Sequence, residues 1–382
     1  MTPPVSRDTI EEIVCANDFL LFFIVREFFE MATIKDVANR AGVSPTTVSH
    51  IINKTRHVSD ELTSRVMAAI EDLDYRPYGL ARSLRRRQSR TVGVLVPDNT
   101  NPYFAEVARL LEDRFFDQGY NVIICNTEQN PQKELAYLQL LIDKAVEGAI
   151  FVSTGNDPEA IEMLRRQRMA CVLVDRDIPD LPLDRVVTDN QKGAEVATDY
   201  LLGQGHRRIL CIAGPQGIAS TEDRLRGYQR AMERADLPQL ISHGDFRIQS
   251  GLQKFLDQCD TGDLPSAVFA SNDLMALGVL HGAAKRGMRV PHDLSVIGFD
   301  DIHLAEYAVP ALTTLRQEKS QIVEAATTLL LERIASLHRH DHTPEIQADL
   351  PSQSPVHHRV LAPTLIIRES SGPASQREHD YP

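Results

Sequence analysis

The sequence predicts a small all-α domain followed by a larger α/β domain that is built from two lobes. The chain has 382 residues, which is enough for two or three domains with separate cores. Between residues 33 and 73, apolar residues recur at spacings of three and four, as they do on helices that bury one face. From Thr91 onward, apolar runs rich in β-branched residues alternate with helical stretches, which is the pattern of a parallel α/β sheet.

The composition is that of a globular protein, with 42% hydrophobic and 25% charged residues. The five cysteines are widely spaced and form no C-x-x-C pair, so they indicate neither a disulfide framework nor a zinc site. We therefore expect a protein of a reducing compartment, the cytoplasm.

Residues 1–30 are unlike the rest of the chain and contain an apolar run from Phe19 to Val25. This run is far shorter than the roughly 20 residues of a membrane span. It also lacks the basic start and the small-residue cleavage site of a secretory signal. We interpret residues 1–30 as an extension that is disordered or that precedes a natural start at Met31, and we expect no membrane partner.

The formal net charge of the chain is −12, but this charge is unevenly distributed. Residues 31–90 contain eleven Lys or Arg and six Asp or Glu, which gives this segment a net charge of +5. A basic segment on an acidic body is typical of proteins that bind nucleic acid, because neutralised phosphates release counterions.

The basic segment has the pattern of a helix-turn-helix followed by a third helix. Gly42 follows the first apolar stripe, at a point where a tight turn requires a positive φ. Ser44 is suited to cap the second helix, and Pro45 is tolerated at its first position. The third helix is predicted to start at Ser59. The inward-facing residues of the three helices are Ile34, Val37, Ala38, Ala41, Val48, Ile51, Ile52, Leu62, Val66, Ile70 and Leu73.

The outward face of the second helix presents the short polar side chains of Thr46, Thr47, Ser49 and His50. Such groups suit base edges and phosphates in the major groove of double-stranded DNA. One helix of this kind contacts few bases, so a homodimer on a palindromic operator is expected. The alternative is a small helical bundle that does not bind DNA.

Polar residues end several apolar runs of the α/β part. In open α/β sheets, ligands bind outside the carboxyl ends of the strands. The residues expected at such ends are Asp98, Asp175, Arg176, Asn272, Asp273 and Asp300. The sequence therefore predicts a small-molecule site in the α/β part.

The stretch that begins MATIKDVANRAGVSPTTVSHIINKTRHV resembles the N-terminus of the LacI/GalR family of transcriptional regulators, in its ribose- and purine-repressor branch. The resemblance extends to about Arg368. It implies a repressor of a sugar-utilisation operon whose operator affinity is controlled allosterically by a small-molecule effector. The implied parts are a helix-turn-helix domain over 31–76, a hinge helix over 77–90, a two-lobed periplasmic-binding-protein-like domain for effector binding and dimerisation over 91–370, and a tail over 371–382.

In this family the hinge helix inserts a leucine into the minor groove, and the matching residue here is Leu84. A leucine flanked by arginines suits such a wedge, although a solvated basic linker is the alternative. Pro45 departs from the family pattern, so Thr46 and His50 are expected to carry more of the base readout. The DNA-binding set that the resemblance implies is completed by Thr33, Ser44, Asn53 and Arg85.

The resemblance also assigns an effector site in the two-lobed domain. Its residues would be Asn101, Tyr103, Phe104, Asp175, Arg176, Arg224, Asn272, Asp300 and Gln317. Several hydrogen-bonding groups beside aromatic rings match the polar edges and the apolar face of a sugar. The adjacent Asp175 and Arg176 disfavour a purine ligand and fit a pentose such as ribose. Fructose and other sugars remain alternative ligands.

Other classes fit the sequence less well. It contains no P-loop, no G-x-S-x-G and no H-E-x-x-H motif, so we expect neither an enzyme nor a cofactor. His338, His340, His342, His357 and His358 are interpreted as residues of a solvated loop, not as a metal site. A periplasmic sugar-binding protein would need a signal peptide and no helix-turn-helix. A regulator that responds to a purine or another non-sugar metabolite remains the alternative, and the sequence does not separate an inducer from a corepressor.

Overall fold

The computed structural model describes residues 32–53, 56–75, 89–152, 159–160, 163, 169–175, 182–340 and 355–375. The chain divides into two compact units, residues 1–89 and 90–382. The predicted hinge residues Leu84 and Arg85, the effector residue Arg176 and the extension over 1–30 lie outside the described residues. Within the described part, no helix is long and apolar enough to cross a membrane.

The small unit contains three helices in the predicted order, namely α1 (Ile34–Ala41), α2 (Pro45–Asn53) and α3 (Asp60–Asp72). Thr33 and Asp36 form a capping box at the start of α1, with each side chain bonded to the other's backbone N–H. The side chains of Val37, Val48 and Val66, one from each helix, are fully buried and form the centre of the core. The helix-turn-helix prediction is confirmed.

The turn between α1 and α2 depends on Gly42, which has a φ of +64°. The Arg65 guanidinium donates to the carbonyl oxygen of Ala41 at 2.7 Å and covers the same turn. A Cβ atom at residue 42 would lie 2.9 Å from the Arg65 Nη2 atom.

We expect Gly42→Ala to lower the free energy of unfolding of the small unit by about 1 to 2 kcal/mol, because an L-residue is strained at this φ. Urea denaturation followed by circular dichroism measures the change. Gly119→Ala is a control for the strained φ alone, since Gly119 has a φ of +74° with nothing within 4 Å of an added Cβ. A Gly42→Ala variant of unchanged stability would contradict the role of this turn.

The first lobe of the larger unit contains a six-stranded, fully parallel sheet in the order β2-β1-β3-β4-β5-β11. Its strands are β1 (Thr91–Val96), β2 (Asn121–Asn126), β3 (Gly148–Val152), β4 (Ala170–Val174), β5 (Asp184–Thr188) and β11 (His358–Leu361). The helices of this lobe are α4 (Pro102–Asp117), α5 (Pro131–Asp143) and α11 (Lys319–His340). Strands β1, β3 and β4 are buried on both faces, as their continuous apolar runs predict.

The second lobe has a sheet in the order β7-β6-β8-β9-β10-β12, in which only β12 is antiparallel to its neighbour. Its strands are β6 (Ile209–Ala213), β7 (Leu240–His243), β8 (Ala267–Ala270), β9 (Ser295–Asp300), β10 (Thr313–Arg316) and β12 (Thr364–Ile366). Its helices are α6 (Asn190–Gly203), α7 (Ala219–Arg234), α8 (Ile248–Asp260), α9 (Asp273–Lys285) and α10 (His303–Tyr307).

The described chain passes between the lobes at three places. These crossovers join β5 to α6, β10 to α11, and β11 to β12. Helix α11 follows a strand of the second lobe but packs on α4 and on strands β3, β4 and β5 of the first lobe. The predicted two-lobed α/β fold is confirmed.

The expectation of a histidine-containing loop near the C-terminus is wrong for three of its five residues. His338 and His340 lie in α11 and His358 begins β11, whereas His357 precedes β11 and His342 lies outside the described residues. The helical period of α11 continues past the point where the composition becomes polar. At the described start of the expected tail, the Ser371 hydroxyl is 2.8 Å from that of Thr313 and the Ala374 N–H donates to the Gln204 carbonyl oxygen. Residues 371–375 thus contact the second lobe.

Candidate functional site

The polar residues of the helix-turn-helix fall into two groups in the structure. Ser44 caps α2, since its Oγ accepts from the Thr47 N–H at 3.1 Å and lies 2.9 Å from the Thr47 hydroxyl. Thr33 is likewise held by the capping box of α1. The Thr46 side chain is exposed and has no hydrogen bond within the described part of the chain, while Ser49 and His50 are half-buried. Thr46 is thus the most accessible of the predicted readers.

Some of the basic charge of the small unit is used inside it. Arg65 is bonded to the Ala41 carbonyl, and Arg40 pairs with Asp72 at 2.8 Å between two exposed side chains. Fewer cations of the small unit are therefore available to phosphates than its net charge suggests. The side chain of Asn53 is not described.

In the larger unit, a cleft lies where the carboxyl ends of both sheets meet. Residues from both lobes line it, because β1 and β4 of the first lobe and β6, β8 and β9 of the second end there. The predicted effector residues that the structure describes all line this cleft: Asn101, Tyr103, Phe104, Asp175, Arg224, Asn272, Asp300 and Gln317.

Gln317 links the two lobes at the floor of the cleft. Its Oε1 accepts from the Tyr103 hydroxyl at 3.0 Å and from the Thr188 hydroxyl at 2.6 Å. Its Nε2 donates to Asp300 Oδ1 at 2.8 Å. Tyr103 belongs to the first lobe and Asp300 to the second, so one amide group contacts both sides of the site.

Arg224 is held tightly by the protein around it. Its Nε donates to Asn190 Oδ1 at 2.8 Å and its Nη1 donates to the Ser271 carbonyl oxygen at 2.5 Å. The guanidinium lies 3.8 Å from the centroid of the Phe299 ring, and its Nη2 is 3.6 Å from Asp300 Oδ1. With its side chain only 4% exposed, Arg224 acts mainly as a fixed positive charge beside Asp300.

Asp300, at the end of β9, is the buried acid that the second lobe contributes to the described lining of the cleft. Burial raises the pKa of Asp300 to about 6, against the opposing effects of Arg224 and Gln317. Its φ of +113° is unusual for any residue except glycine. Asp175 ends β4 with a φ of +56° and is also buried. The cleft therefore presents two carboxyl groups on strained turns, which is typical of functional sites.

The two asparagines of the cleft have partners within the fold. Asn101 caps α4 by accepting from the Tyr103 N–H at 3.0 Å. Asn272 caps α9 through the Met275 N–H, and its amide donates to the Phe246 carbonyl oxygen at 3.0 Å. Both residues thus position aromatic neighbours.

Two other acids at strand ends do not line the cleft, contrary to expectation. Asp98 accepts from the N–H and the hydroxyl of Thr100 and stabilises a turn. Asp273 points into the lobe, where it accepts from the Thr314 hydroxyl and the Ile302 N–H. Conversely, the sequence did not identify five residues of the lining, which are Pro97, Gln129, Ile218, Ser220 and Phe246.

Comparisons with known proteins agree with both parts of the fold. Residues 33–78 match the family described as bacterial regulatory proteins, lacI family, and residues 198–371 match a periplasmic binding protein-like domain. The chain is 40% identical to the HTH-type transcriptional repressor PurR of Photobacterium profundum over 309 residues, which are 80% of this chain and 92% of that protein. It is also 40% identical to the ribose operon repressor of Escherichia coli K12 over 308 residues, 80% of this chain and 93% of that one.

Solved structures show the same likeness. A lac repressor dimer bound to operator and the anti-inducer ONPF is 25% identical, with a TM-score of 0.76 over 89% of this chain and 99% of that chain. A LacI family transcriptional regulator from Enterococcus faecium with bound ribose is 29% identical, with a TM-score of 0.65 over 74% of this chain and 99% of that chain. The predicted family is confirmed: the chain belongs to the LacI family of bacterial regulatory proteins and is a DNA-binding transcriptional repressor.

Proposed function

We propose that this protein is a cytoplasmic, homodimeric repressor whose affinity for its operator is changed by a ribose-like sugar in the cleft between the lobes. The observation that carries the proposal is the composition of the cleft. Two buried carboxyl groups, Asp175 and Asp300, line it beside the apolar side chains of Phe104, Ile218 and Phe246.

The chemistry of this lining favours a polyhydroxylated ligand. An ionised carboxylate only accepts hydrogen bonds, and Asp300, with a pKa of about 6, is mostly ionised at neutral pH. Two of the five N–H groups of Arg224 already donate to the protein, whereas the carboxylate oxygens of Asp175 and Asp300 accept from the hydroxyl groups of a ligand. A sugar supplies several hydroxyl donors on its edge, while its C–H face can pack on the phenyl rings.

A purine is the second candidate, because the chain is as similar to a PurR repressor as to a ribose operon repressor. A purine base has few N–H donors for two carboxylates. The two buried carboxyl groups of the cleft therefore favour the sugar.

Calorimetric titration of the full chain with D-ribose, D-fructose and hypoxanthine tests the ligand class. The proposal predicts heat of binding with one sugar and none with hypoxanthine. Binding of hypoxanthine with silence from both sugars would assign the cleft to a purine and leave the repressor function in place.

On the DNA side, we propose that Thr46, Ser49 and His50 read the major groove and that Thr33, Thr47, Ser44 and Asn53 contact the backbone near it. Leu84 and Arg85 would act from the hinge helix in the minor groove. Two copies would bind a palindromic operator.

Exposed apolar side chains on the larger unit favour this dimer. Ile124 and Ile241 lie on β2 and β7, which are each an edge strand of one sheet, and are 47% and 37% exposed. Val309 is 94% exposed. Contact with a second copy would remove such surfaces from water.

A further inference from the structure

The crossover from β10 to α11 carries two side chains that each contact both lobes. Gln317 is the first, and it joins Tyr103 to Asp300 at the floor of the cleft. Lys319, the first residue of α11, is the second. Its ammonium group lies 2.7 Å from Glu106 Oε2 on α4 of the first lobe and donates to the carbonyl oxygen of Asp301 in the second lobe at 2.8 Å.

The two bridges are parallel and join the same two elements. Tyr103 and Glu106 are three residues apart and lie on one side of α4. Asp300 and Asp301 are neighbours at the end of β9. The bridges differ in one respect. Gln317 lines the cleft, whereas Lys319, Glu106 and Asp301 are not part of the described lining of the cleft.

The turn after β9 is clamped within its own lobe. The Asp301 carboxylate accepts from Arg316 Nε at 2.7 Å and is 2.8 Å from Arg368 Nη2. The Ile302 N–H donates to Asp273 Oδ2 at 2.8 Å. Because Asp301 follows Asp300 directly in this clamped turn, movement of one residue must displace the other.

The Lys319 bridge is shielded from water. The side chain of Lys319 is only 10% exposed and that of Glu106 is 34% exposed, so their attraction is screened less than that of a surface pair. Burial is the main cause of the raised pKa of Asp300, and the charge of Lys319 counteracts part of it. Lys319 therefore acts electrostatically on the cleft without lining it.

We propose that Lys319 is a positioning residue that couples a ligand at Asp300 to the orientation of α4, and thereby to closure of the lobes, without touching the ligand. The coupling role rests on the proposed function, in which a small molecule in the cleft controls the repressor. The mechanical link between the lobes does not depend on the identity of that molecule.

Hydrogen exchange of the ligand-free full chain tests whether Lys319 links the two lobes. Lys319→Met should accelerate exchange of backbone amides in residues 103–107 and 301–303 by about tenfold, because the bridge that restrains both is lost. Lys319→Arg keeps the charge and should restore slow exchange. The matched control is Glu324→Gln, which removes the exposed ion pair between Arg114 and Glu324. This pair is a suitable control because it joins α4 to α11 within one lobe and does not bridge the two lobes. Equal exchange in Lys319→Met and Glu324→Gln would overturn the proposal.

A titration with D-ribose and an operator duplex selected in vitro tests the coupling. In Lys319→Met, the factor by which D-ribose changes operator affinity should fall at least about fivefold, while D-ribose binds with a Kd within about threefold of the wild-type value. An unchanged factor would refute the coupling. If the wild-type protein binds no D-ribose, the proposed sugar is wrong, and the hydrogen-exchange comparison still decides whether Lys319 links the lobes.

Discussion

Asp300→Asn should abolish the calorimetric signal of D-ribose and at the same time stabilise the ligand-free protein at neutral pH. Ligand binding is lost because an amide replaces an ionised acceptor in the cleft, which we expect to weaken binding by about a hundredfold. Stability rises because the folded protein no longer has to hold a buried negative charge.

The dependence of this stabilisation on pH follows from the pKa of Asp300, which burial raises from 3.8 to about 6. In the wild-type protein, the favourable contribution of Asp300 to the free energy of unfolding is present below pH 3.8 and is lost as the pH rises through about 6. The full loss is about 3 kcal/mol. Asp300→Asn should therefore be more stable than the wild type above about pH 6, and this advantage should disappear near pH 4.

Urea denaturation at several pH values, with calorimetry at neutral pH, measures both effects. Asp236→Asn is a matched control, because Asp236 also has a positive φ in the second lobe but is exposed. It should leave ribose binding unchanged and should not stabilise the protein at neutral pH. Normal binding of D-ribose by the Asp300→Asn variant would show that Asp300 does not bind the sugar.

Asp184→Asn should lower the free energy of unfolding by about 3 kcal/mol at neutral pH. Asp184 is buried at the start of β5, where its carboxylate accepts two bonds from Arg333 at 2.6 and 2.8 Å and one from the His357 N–H at 2.8 Å. These bonds join β5, α11 and the segment before β11. An amide cannot accept on both atoms, so part of the Arg333 fork loses its partner.

Burial raises the pKa of Asp184, but the bonds from Arg333 and His357 outweigh it and hold the pKa below 3.8. The stability that this carboxylate contributes is therefore present above about pH 4 and is lost as the pH falls through the lower pKa of the folded state. Urea denaturation of both proteins over this range should show the difference shrink in acid.

The matched control for Asp184 is Asp199→Asn. Asp199 also accepts from one arginine, Arg234, through both oxygens, but its side chain is 48% exposed. Loss of this surface pair should cost less than about 1 kcal/mol. Equal costs at residues 184 and 199 would contradict the importance of burial.

The sequence predicted the strands that are buried on both faces, because their apolar runs are continuous. It did not predict the short strands β5, β7, β10, β11 and β12. The residues of β7 and β11 are mostly half-buried or exposed and form no such run. In the site, Asp175 and Asp300 could be identified because ligands bind at strand ends. Asp98 and Asp273 follow strands in the same way, but their carboxylates accept hydrogen bonds elsewhere in the fold, Asp98 from Thr100 and Asp273 from Ile302.

Phe246 and Ile218 could not be predicted to line the cleft. They lie in loops, and the distance of these loops from the cleft depends on how the second lobe packs. Phe246 reaches its place through a φ of +67°, a bond from the Asn272 amide, and contact with Gly214, where an added Cβ would meet its ring at 2.2 Å. The bridge from Lys319 to Glu106 likewise joins residues that are distant in the chain and carry no shared motif.

Operator affinity of the full chain with and without D-ribose tests the central claim most directly. Fluorescence anisotropy with a labelled duplex, selected in vitro on the wild-type protein, gives both dissociation constants. A sugar-controlled repressor should show a change of about 5- to 150-fold in the wild type and none in Asp300→Asn. Tight operator binding that D-ribose and other simple sugars leave unchanged would contradict sugar control of this repressor.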